Sequence, residues 1–560
     1  MNYRLIGKYL GHFMVALGLL MIPSVGWAVY YQEWRVVHAF ALSIVITAVT
    51  GIALAVAGRH APPRMFQREA LATVGIAWLL AAGLGSLPYV FSGVANPIDA
   101  YFECMSGFTT TGSTILTDVE GTYKGILFWR SFTHWLGGMG IIVLFIAVLP
   151  HLGAGGKLMF RSETPGPDPR GLRPKIQDTA TILYTIYVGM TVVETVALMA
   201  AGMSLYDALC HTFGTLATGG FSTRQASIGA YNSVFVDGIV IFFMVCAGGN
   251  FALYFAMLRG NWRAPFRDTE WRAYIALLIV CTAAVTLNLL GVQHHSMIEQ
   301  SARDVAGAAR KLTPEQTARA AEVEAAFAPR LEAMAEAVEA APGPERAALK
   351  AELASLEARR DQAHFSAVES YDYSVGQALR HAMFQVVSIM TTTGYGTVDS
   401  DTWPYFSRML LVMLMFVGGC AGSTGGGMKV VRIIMLLKMA YWRLESTFRP
   451  KSVRAIRVSD QVLDDDSQRM VYAFFVLYLL WFAAGSLLMS WLGLPFQTAV
   501  TSVAATLNNI GPGLEAVGAA MDFHLVPAAG KVFLSLCMVL GRLELISISV
   551  LFMPAFWRKN

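Results

Sequence analysis

Charged residues are scarce in this sequence, and their scarcity excludes most soluble protein classes. They make up 14% of the 560 residues, against roughly 25% in soluble domains, whereas 55% of the residues are hydrophobic. A water-soluble chain of this length would divide into several domains with polar surfaces. The net charge of +4 provides no strongly basic face, so we expect no nucleic-acid partner. The composition instead predicts an integral membrane protein with the lipid bilayer as its surroundings.

Residue patterns typical of enzymes and metal centres are also missing from the sequence. The six cysteines are scattered and form no C-x-x-C pair, which argues against a zinc site or a disulfide framework. No H-E-x-x-H motif and no Ser/Lys or Asp pair of catalytic type occurs. We therefore predict that the chain is not an enzyme and binds no organic cofactor.

Long hydrophobic runs, by contrast, are abundant, and they predict ten membrane-spanning helices. Their approximate limits are 9–31, 36–57, 69–92, 125–150, 178–203, 232–258, 270–292, 403–440, 468–493 and 526–556. Lysine and arginine concentrate in the loops at 59–68, 157–175, 259–272 and 438–457. The positive-inside rule assigns these loops, and both termini with them, to the cytoplasm.

One polar stretch, at about 293–372, interrupts the hydrophobic pattern on the opposite side of the membrane. It is rich in Ala, Glu and Arg. Thr313 followed by Pro314 is typical of a helix start, and Pro342-Gly343-Pro344 interrupts the helical pattern. We expect a helical hairpin outside the membrane.

Four segments of the chain align without gaps and end in glycine. They run over 99–112, 207–220, 381–394 and 498–511, and each has an alanine twelve residues before its last glycine. Repetition at fixed offsets indicates a repeated structural unit. The predicted fold is an all-α polytopic membrane protein with four pseudo-symmetric helix–pore loop–helix repeats around one pore, plus two N-terminal helices. The predicted limits are 1–68 for these two helices, then 69–150, 178–258, 270–440 and 468–556 for repeats 1 to 4, with the insertion at 293–372 inside repeat 3.

The turns that end the four segments are typical of a cation selectivity filter. Non-helical backbone at membrane depth is tolerated where it is buried or lines a water-filled path. Carbonyl oxygens there can replace the hydration shell of K+, and glycine allows the positive φ that aims them inward. The run from Thr392 to Gly396 differs at one position from the T-V-G-Y-G filter of potassium channels. The predicted K+ positions are Thr110, Thr111, Gly112, Thr218, Gly219, Gly220, Thr392, Thr393, Gly394, Asn509, Ile510 and Gly511.

These turns, the stretch Trp135–Ile142 after the first of them, and a glycine cluster at 418–427 resemble the Trk/Ktr/HKT superfamily of potassium transporters. The two additional N-terminal helices resemble its TrkH branch. The resemblance covers nearly the whole chain, and it implies K+ uptake across the bacterial cytoplasmic (inner) membrane by a homodimer with one pore per subunit. It also implies a cytoplasmic TrkA-like regulatory subunit that binds NAD(H) or ATP/ADP. The resemblance further implies that glycine rather than serine at position 112, here Gly112, goes with K+ selectivity.

The glycine cluster and one arginine are candidates for a gate. The cluster consists of Gly418, Gly419, Gly422, Gly425, Gly426 and Gly427, and each glycine lowers helix stability by roughly 1 kcal/mol relative to alanine. We predict an unwound loop under the filter, with close helix packing as the alternative. Arg542 lies in an otherwise apolar helix, where a charge is expensive and marks function. The resemblance assigns the loop and Arg542 to the gate, and the alternative for Arg542 is a structural role bonded to carbonyls.

Coupled transport is the alternative to a simple pore. Coupled carriers bind substrate and ions at broken helices, usually within two inverted repeats, whereas this chain has four units in one orientation. An H+- or Na+-coupled potassium symporter is the alternative function. Glu103, in the first pore helix, is expected to be hydrogen-bonded and structural, because a buried charge requires partners.

Overall fold

The computed structural model of the chain describes residues 1–62, 65–140, 176–304, 314–340, 373–449, 465–543 and 545–558, with isolated positions within 346–360 and 457–462. Helices make up almost all of the regular structure in these ranges. The strands found there are Arg457–Val458 and Gln461–Val462, which pair antiparallel. The predicted all-α fold class is confirmed.

Six helices in the described residues are long and apolar enough to span a membrane. They are Tyr3–Tyr30, Trp34–Ala57, Gln67–Ser92, Ala180–Ala200, Thr269–Leu290 and Asp465–Trp491. A seventh candidate is a bent pair, Val234–Ala247 and Phe251–Leu258, whose halves differ in direction by 96°. Two of the other predicted spans, 403–440 and 526–556, consist of shorter helices.

The two N-terminal helices pack on each other through glycine. The first is divided into Tyr3–Leu20 and Ile22–Tyr30, not continuous as predicted, because Pro23 cannot donate a backbone hydrogen bond. A Cβ built on Gly11 would lie 2.5 Å from the carbonyl oxygen of Gly51 in the helix Trp34–Ala57. Such close backbone contact is typical of small residues between membrane helices.

A short helix precedes each of the four glycine turns. We call them short helices 1 to 4, and they are Pro97–Phe108, Leu205–Leu216, Val375–Met390 and Phe496–Leu507. Asn96 caps the first by accepting the N–H groups of Ile98 and Asp99, and Ser204 caps the second by accepting that of Asp207. All four end four residues before the glycine of their turn, so the repeat found in the sequence is also a repeat of helix ends.

The helix after the turn is broken in repeats 2, 3 and 4, and in repeat 1 the described helix ends at Gly138. The fragments are Lys124–Gly138 in repeat 1, Val234–Ala247 with Phe251–Leu258 in repeat 2, Tyr405–Met415 with Val430–Phe448 in repeat 3, and Ala528–Arg542 with Leu545–Ser549 in repeat 4. The break inside 403–440 was predicted from its glycine cluster. The predictions of continuous spans over 232–258 and 526–556 were wrong, because glycines at 248–249 and 541 also lie at the breaks. Most of the predicted span 125–150 after Gly140 lies outside the described residues.

The polar insertion begins as a continuation of a spanning helix. This helix, Thr269–Asp304, extends twelve residues beyond the predicted limit of 292. A second helix, Pro314–Ala340, begins at the predicted proline, while Thr313 and the break at 342–344 lie outside the described residues. The chain divides into two units, one formed by Met1–Val280, Met383–Val398 and Leu411–Asn560, the other by Cys281–Ala382 and Asp399–Leu410.

Shorter elements complete the described chain. The helix Ile176–Ala200 precedes short helix 2, and Gln67–Gly85 with Leu87–Ser92 precedes short helix 1. The remaining helical turns are Ser227–Tyr231, Ala264–Arg267, Ser400–Thr402, Glu515–Val517, Val550–Phe552 and Pro554–Trp557.

Candidate functional site

The four glycine turns share one backbone conformation. The residue two positions before each glycine has a positive φ of 54° at Thr110, 54° at Thr218, 61° at Thr392 and 54° at Asn509. The glycines themselves have φ of 85° at Gly112, 78° at Gly220, 81° at Gly394 and 103° at Gly511. A positive φ is uncommon for residues other than glycine. Its recurrence at one position of all four turns is therefore a feature of the repeated unit.

The four turns meet in a closed ring. A built Cβ would lie 2.1 Å from Gly219 O for Gly112, 2.1 Å from Thr393 O for Gly220, 1.9 Å from Ile510 O for Gly394, and 2.8 Å from Thr111 O for Gly511. Each glycine thus touches the carbonyl that precedes the glycine of the next turn, and the fourth turn returns to the first. We call these four glycines and four carbonyls the glycine ring. A side chain at any of the four positions would push neighbouring turns apart.

The residue two positions before each ring glycine carries a side-chain oxygen. Thr110 Oγ1 and Asn509 Oδ1 are buried without a hydrogen-bond partner among the described residues. Thr218 Oγ1 donates to Ala217 O, and Thr392 Oγ1 accepts the N–H of Gly426 at 2.8 Å. Unpartnered buried oxygens at this level suit a cation, because a buried polar group normally requires a partner.

Two aromatic side chains brace the second turn. The Tyr395 hydroxyl, one residue after Gly394, lies 3.0 Å from His211 O and 3.2 Å from Phe221 O, both in repeat 2. His134 Nδ1 lies 2.8 Å from Gly107 O, while its Nε2 accepts the N–H of Phe221 at 3.3 Å. These contacts fix His134 as the tautomer protonated on Nδ1. Neighbouring turns are therefore held together by side chains outside the glycine ring.

Glu103 is part of a buried ion pair that joins repeats 1 and 2. Its carboxylate accepts Arg130 Nε at 2.6 Å, the N–H of Ile115 at 2.7 Å and the Thr114 hydroxyl at 2.9 Å. Arg130 also donates to Ser222 O at 3.0 Å. Glu103 is hydrogen-bonded as predicted, and its structural role stays a prediction.

A second set of glycines lies where the broken helices pass the ends of the short helices. A Cβ built on Gly137 would lie next to Phe108 O, the last residue of short helix 1, and one on Gly541 would lie 2.1 Å from Leu507 O, the last of short helix 4. A built Cβ would lie 2.8 Å from Ala217 Cα for Gly138 and 2.9 Å from Thr391 Cγ2 for Gly248. Sequence reasoning missed this set, although glycine recurs 24 to 30 residues after each turn.

The glycine cluster 418–427 forms an irregular segment, which we call the glycine loop. Within the loop, the N–H of Cys420 donates to Gly248 O at 2.8 Å, and the N–H of Thr424 donates to Ala247 O at 3.2 Å. Both acceptors lie at the break in repeat 2. A Cβ built on Gly426 would lie 2.6 Å from the Cβ of Asn509, and one on Gly425 would lie 3.3 Å from Thr391 O. A Cβ built on Gly427 would lie 3.0 Å from Asn508 Oδ1. The loop therefore touches the turns of repeats 3 and 4 directly.

The other glycines of the loop anchor it. The N–H of Gly418 donates to Met428 O at 2.8 Å, and Gly419 O accepts the N–H of Val430 at 3.2 Å, so the two ends of the loop are joined. Gly422 O accepts the N–H of Phe251 at 3.2 Å. Three of the six glycines thus hold the loop in place, and the other three face the turns.

Arg542 lies at the end of a helix fragment and bridges repeats 1 and 3. Its guanidinium donates to Thr424 O in the glycine loop and to Gly137 O and Gly138 O. The residue is half-buried, and with Lys429 and Arg432 it lines a cavity beneath the loop. Lys429 Nζ donates to Gly425 O. The prediction for Arg542 left a gate and a carbonyl-bonded structural role open, and the three bonds given above all go to carbonyl oxygens, one of them in the glycine loop.

Comparisons with known proteins bear on this arrangement. A sequence model of the TrkH family, described as a cation transport protein, matches residues 33–293 and 356–559. The Trk system potassium uptake proteins TrkH of Halomonas elongata and of Escherichia coli K12 are 34% and 33% identical, each over 568 residues and all of both chains. The crystal structure of the potassium transporter TrkH from Vibrio parahaemolyticus matches with a TM-score of 0.77 and 30% sequence identity, over all of both chains.

The comparisons settle several predictions. The resemblance to Trk transporters, with TrkH the most similar branch, is confirmed. The relatives are transporters, in line with a membrane protein that is not an enzyme. The family match is interrupted at 294–355, which falls within the predicted insertion. This chain is a multi-pass membrane protein that belongs to the TrkH family of cation transport proteins.

Proposed function

We propose that this chain takes up potassium ions through a pore whose selectivity filter is the glycine ring. The observation that carries the proposal is the closure of the ring, in which four glycines each touch the carbonyl that precedes the next glycine. Rings of backbone carbonyls replace the hydration shell of K+ in known channels. The similar proteins of Halomonas elongata and Escherichia coli bear the name Trk system potassium uptake protein, and that name agrees with the proposal.

The surroundings of the ring favour a cation of single charge. Short helices 1 to 4 each end four residues before a ring glycine, so four partially negative helix ends point towards it. No Asp or Glu belongs to the four turns themselves, so the site consists of dipoles rather than full charges. The proposed filter positions are the twelve residues predicted above, from Thr110 to Gly511.

We further propose that the glycine loop and Arg542 form a gate on the cytoplasmic side of the filter. The loop contacts Thr392 and Asn509, and the Arg542 guanidinium places a positive charge beside it. A cation that leaves the filter would meet both. The glycines of the loop give its backbone the conformational freedom that a movable loop requires.

Partners of this chain are proposed on the same basis. The relatives are named as proteins of a Trk system, which agrees with a homodimer regulated by a cytoplasmic, TrkA-like subunit that binds NAD(H) or ATP/ADP. The helix Val430–Phe448, which follows the glycine loop, exposes four apolar side chains on one stripe: Leu437, Tyr441, Leu444 and Phe448. We propose the bacterial inner membrane as the location, with both termini cytoplasmic.

Rubidium flux tests the proposed function. The purified chain is reconstituted in liposomes, and uptake of labelled Rb+ is measured against a tenfold excess of K+ or Na+ outside. We expect K+ to suppress the Rb+ uptake strongly and Na+ to suppress it little. Equal suppression by the two ions would contradict a potassium-selective filter. Liposomes without protein provide the control for leakage.

A further inference from the structure

Glu270 joins the two ends of the glycine loop. The residue is 6% exposed and lies in the first turn of the helix Thr269–Asp304. One of its carboxylate oxygens, Oε1, accepts the N–H of Ala421 at 2.8 Å and the N–H of Val431 at 3.0 Å. These two donors lie on either side of Gly422–Val430, so one oxygen atom closes this segment at its base.

The segment that Glu270 closes has little conformational preference of its own. Four of the six glycines of the loop lie within it, and glycine loses more conformational freedom on ordering than any other residue. A buried N–H group that loses its acceptor costs about 1–3 kcal/mol. The bonds to Glu270 are therefore well suited to fix where the loop lies.

The position that results is the one in which the loop touches the glycine ring. Gly426 donates to Thr392 Oγ1, and Thr424 O accepts from Arg542. Both residues belong to the segment between Ala421 and Val431. A movement that withdraws this segment from the ring must tilt or separate its two ends, and it would break the bonds to Glu270.

We propose that Glu270 is a positioning residue that holds the glycine loop in its closed place beneath the ring. The inference rests on the proposed gate, and it deepens that proposal by naming the group that resists opening. It differs from a role as counter-charge to Lys429, because an uncharged oxygen acceptor would preserve the two bonds.

Three variants test the proposal in the full chain, reconstituted without a regulatory subunit. Glu270→Ala removes the acceptor and leaves two buried N–H groups unpaired, and we expect a rise in resting Rb+ flux of about tenfold. Glu270→Gln keeps an oxygen of the same reach, and its flux should stay near that of the unmodified chain. Glu69→Ala is the matched control. Glu69 is 5% exposed in the first turn of another spanning helix and accepts the N–H groups of Asn2 and Phe66 at 3.1 and 3.2 Å, away from the loop.

The outcomes separate this inference from the gate itself. A loop shortened by removal of Ser423–Gly425 reports on the gate. If the shortened loop raises flux and Glu270→Ala does not, the positioning role is wrong and the gate stands. Equal flux increases in Glu270→Ala and Glu270→Gln would overturn the acceptor role in favour of charge. If the shortened loop leaves flux unchanged, the gate fails, and this inference fails with it.

Misfolding is separated from opening by two measurements. Monodisperse elution in detergent and unchanged preference for Rb+ over Na+ identify a folded variant with an intact ring. Should Glu270→Ala not fold, Glu270→Asp replaces it, since its carboxylate is one methylene shorter and cannot reach both donors. Resting flux above that of Glu270→Gln is then expected, and flux equal to it would overturn the proposal.

Discussion

Alanine at Gly394 is expected to open the glycine ring at one point and to reduce selectivity for K+. The added Cβ would lie 1.9 Å from Ile510 O, so turns 3 and 4 must separate by at least about 1 Å to restore an ordinary contact. The φ of 81° at this position adds roughly 1–2 kcal/mol of backbone strain for a residue with a Cβ. The carbonyl of Ile510 would then no longer point to the same place as the other three carbonyls of the glycine ring.

Selectivity should fall by about tenfold if the displacement weakens K+ relative to Na+ by only about 1.4 kcal/mol. The assay is Rb+ uptake into liposomes with K+ or Na+ as competitor. Gly396→Ala is the matched control. Gly396 lies in the same turn, but a Cβ there would meet nothing closer than Val398 O at 3.6 Å, and its φ is not positive. This variant should keep the selectivity of the unmodified chain.

The same geometry ranks the other ring positions. Gly511→Ala should be the mildest of the four, because its Cβ would lie 2.8 Å from Thr111 O instead of 1.9 to 2.1 Å. Unchanged selectivity in folded Gly394→Ala, or equal loss in Gly394→Ala and Gly396→Ala, would refute the argument that the ring carbonyls select the ion.

Three further perturbations test other parts of the site. Arg542→Ala should raise resting Rb+ flux, because it removes the bonds to Thr424, Gly137 and Gly138. The control Arg542→Lys keeps the positive charge but not the same bonds, so it separates the effect of charge from that of bonding. Reduced flux in the folded alanine variant would count against the gate. Arg130→Met should lower the free energy of unfolding by about 3–5 kcal/mol, because it leaves the buried Glu103 without its partner. Denaturant titration in detergent measures this loss, and the double variant with Glu103→Gln should recover part of it. No loss of stability would contradict a structural pair. Deletion of 297–365 should leave ion preference untouched, and a changed ratio of Rb+ to Na+ flux would show that the insertion acts on the filter.

The four turns could be predicted from the sequence because their glycines are in register with a helix pattern that the chain repeats. Gly112, Gly220, Gly394 and Gly511 require positive φ and close approach, and each requirement acts on the residue itself. The unwound glycine loop was predictable for a similar reason, since glycine at that density opposes a helix. Local physical chemistry is visible in a single sequence.

The contacts that turn these parts into one site could not be predicted. Arg542 meets Thr424, Gly137 and Gly138, which are 118 to 405 residues away in the chain. Glu270 begins a helix and looked like an ordinary acidic residue of a first turn. The glycines at 137, 138, 248 and 541 could be mistaken for helix-packing glycines until the ends of the short helices were seen against them. Such roles depend on which repeats are neighbours, and the sequence does not state the order.

Anomalous diffraction would show whether the glycine ring binds the transported ion. Crystals of the full chain grown in Rb+ would place the ion through its anomalous signal. The account predicts a peak enclosed by the carbonyls of Thr111, Gly219, Thr393 and Ile510, and its loss when Na+ replaces Rb+. A well-ordered ring with no peak, or a peak only elsewhere in the chain, would contradict it.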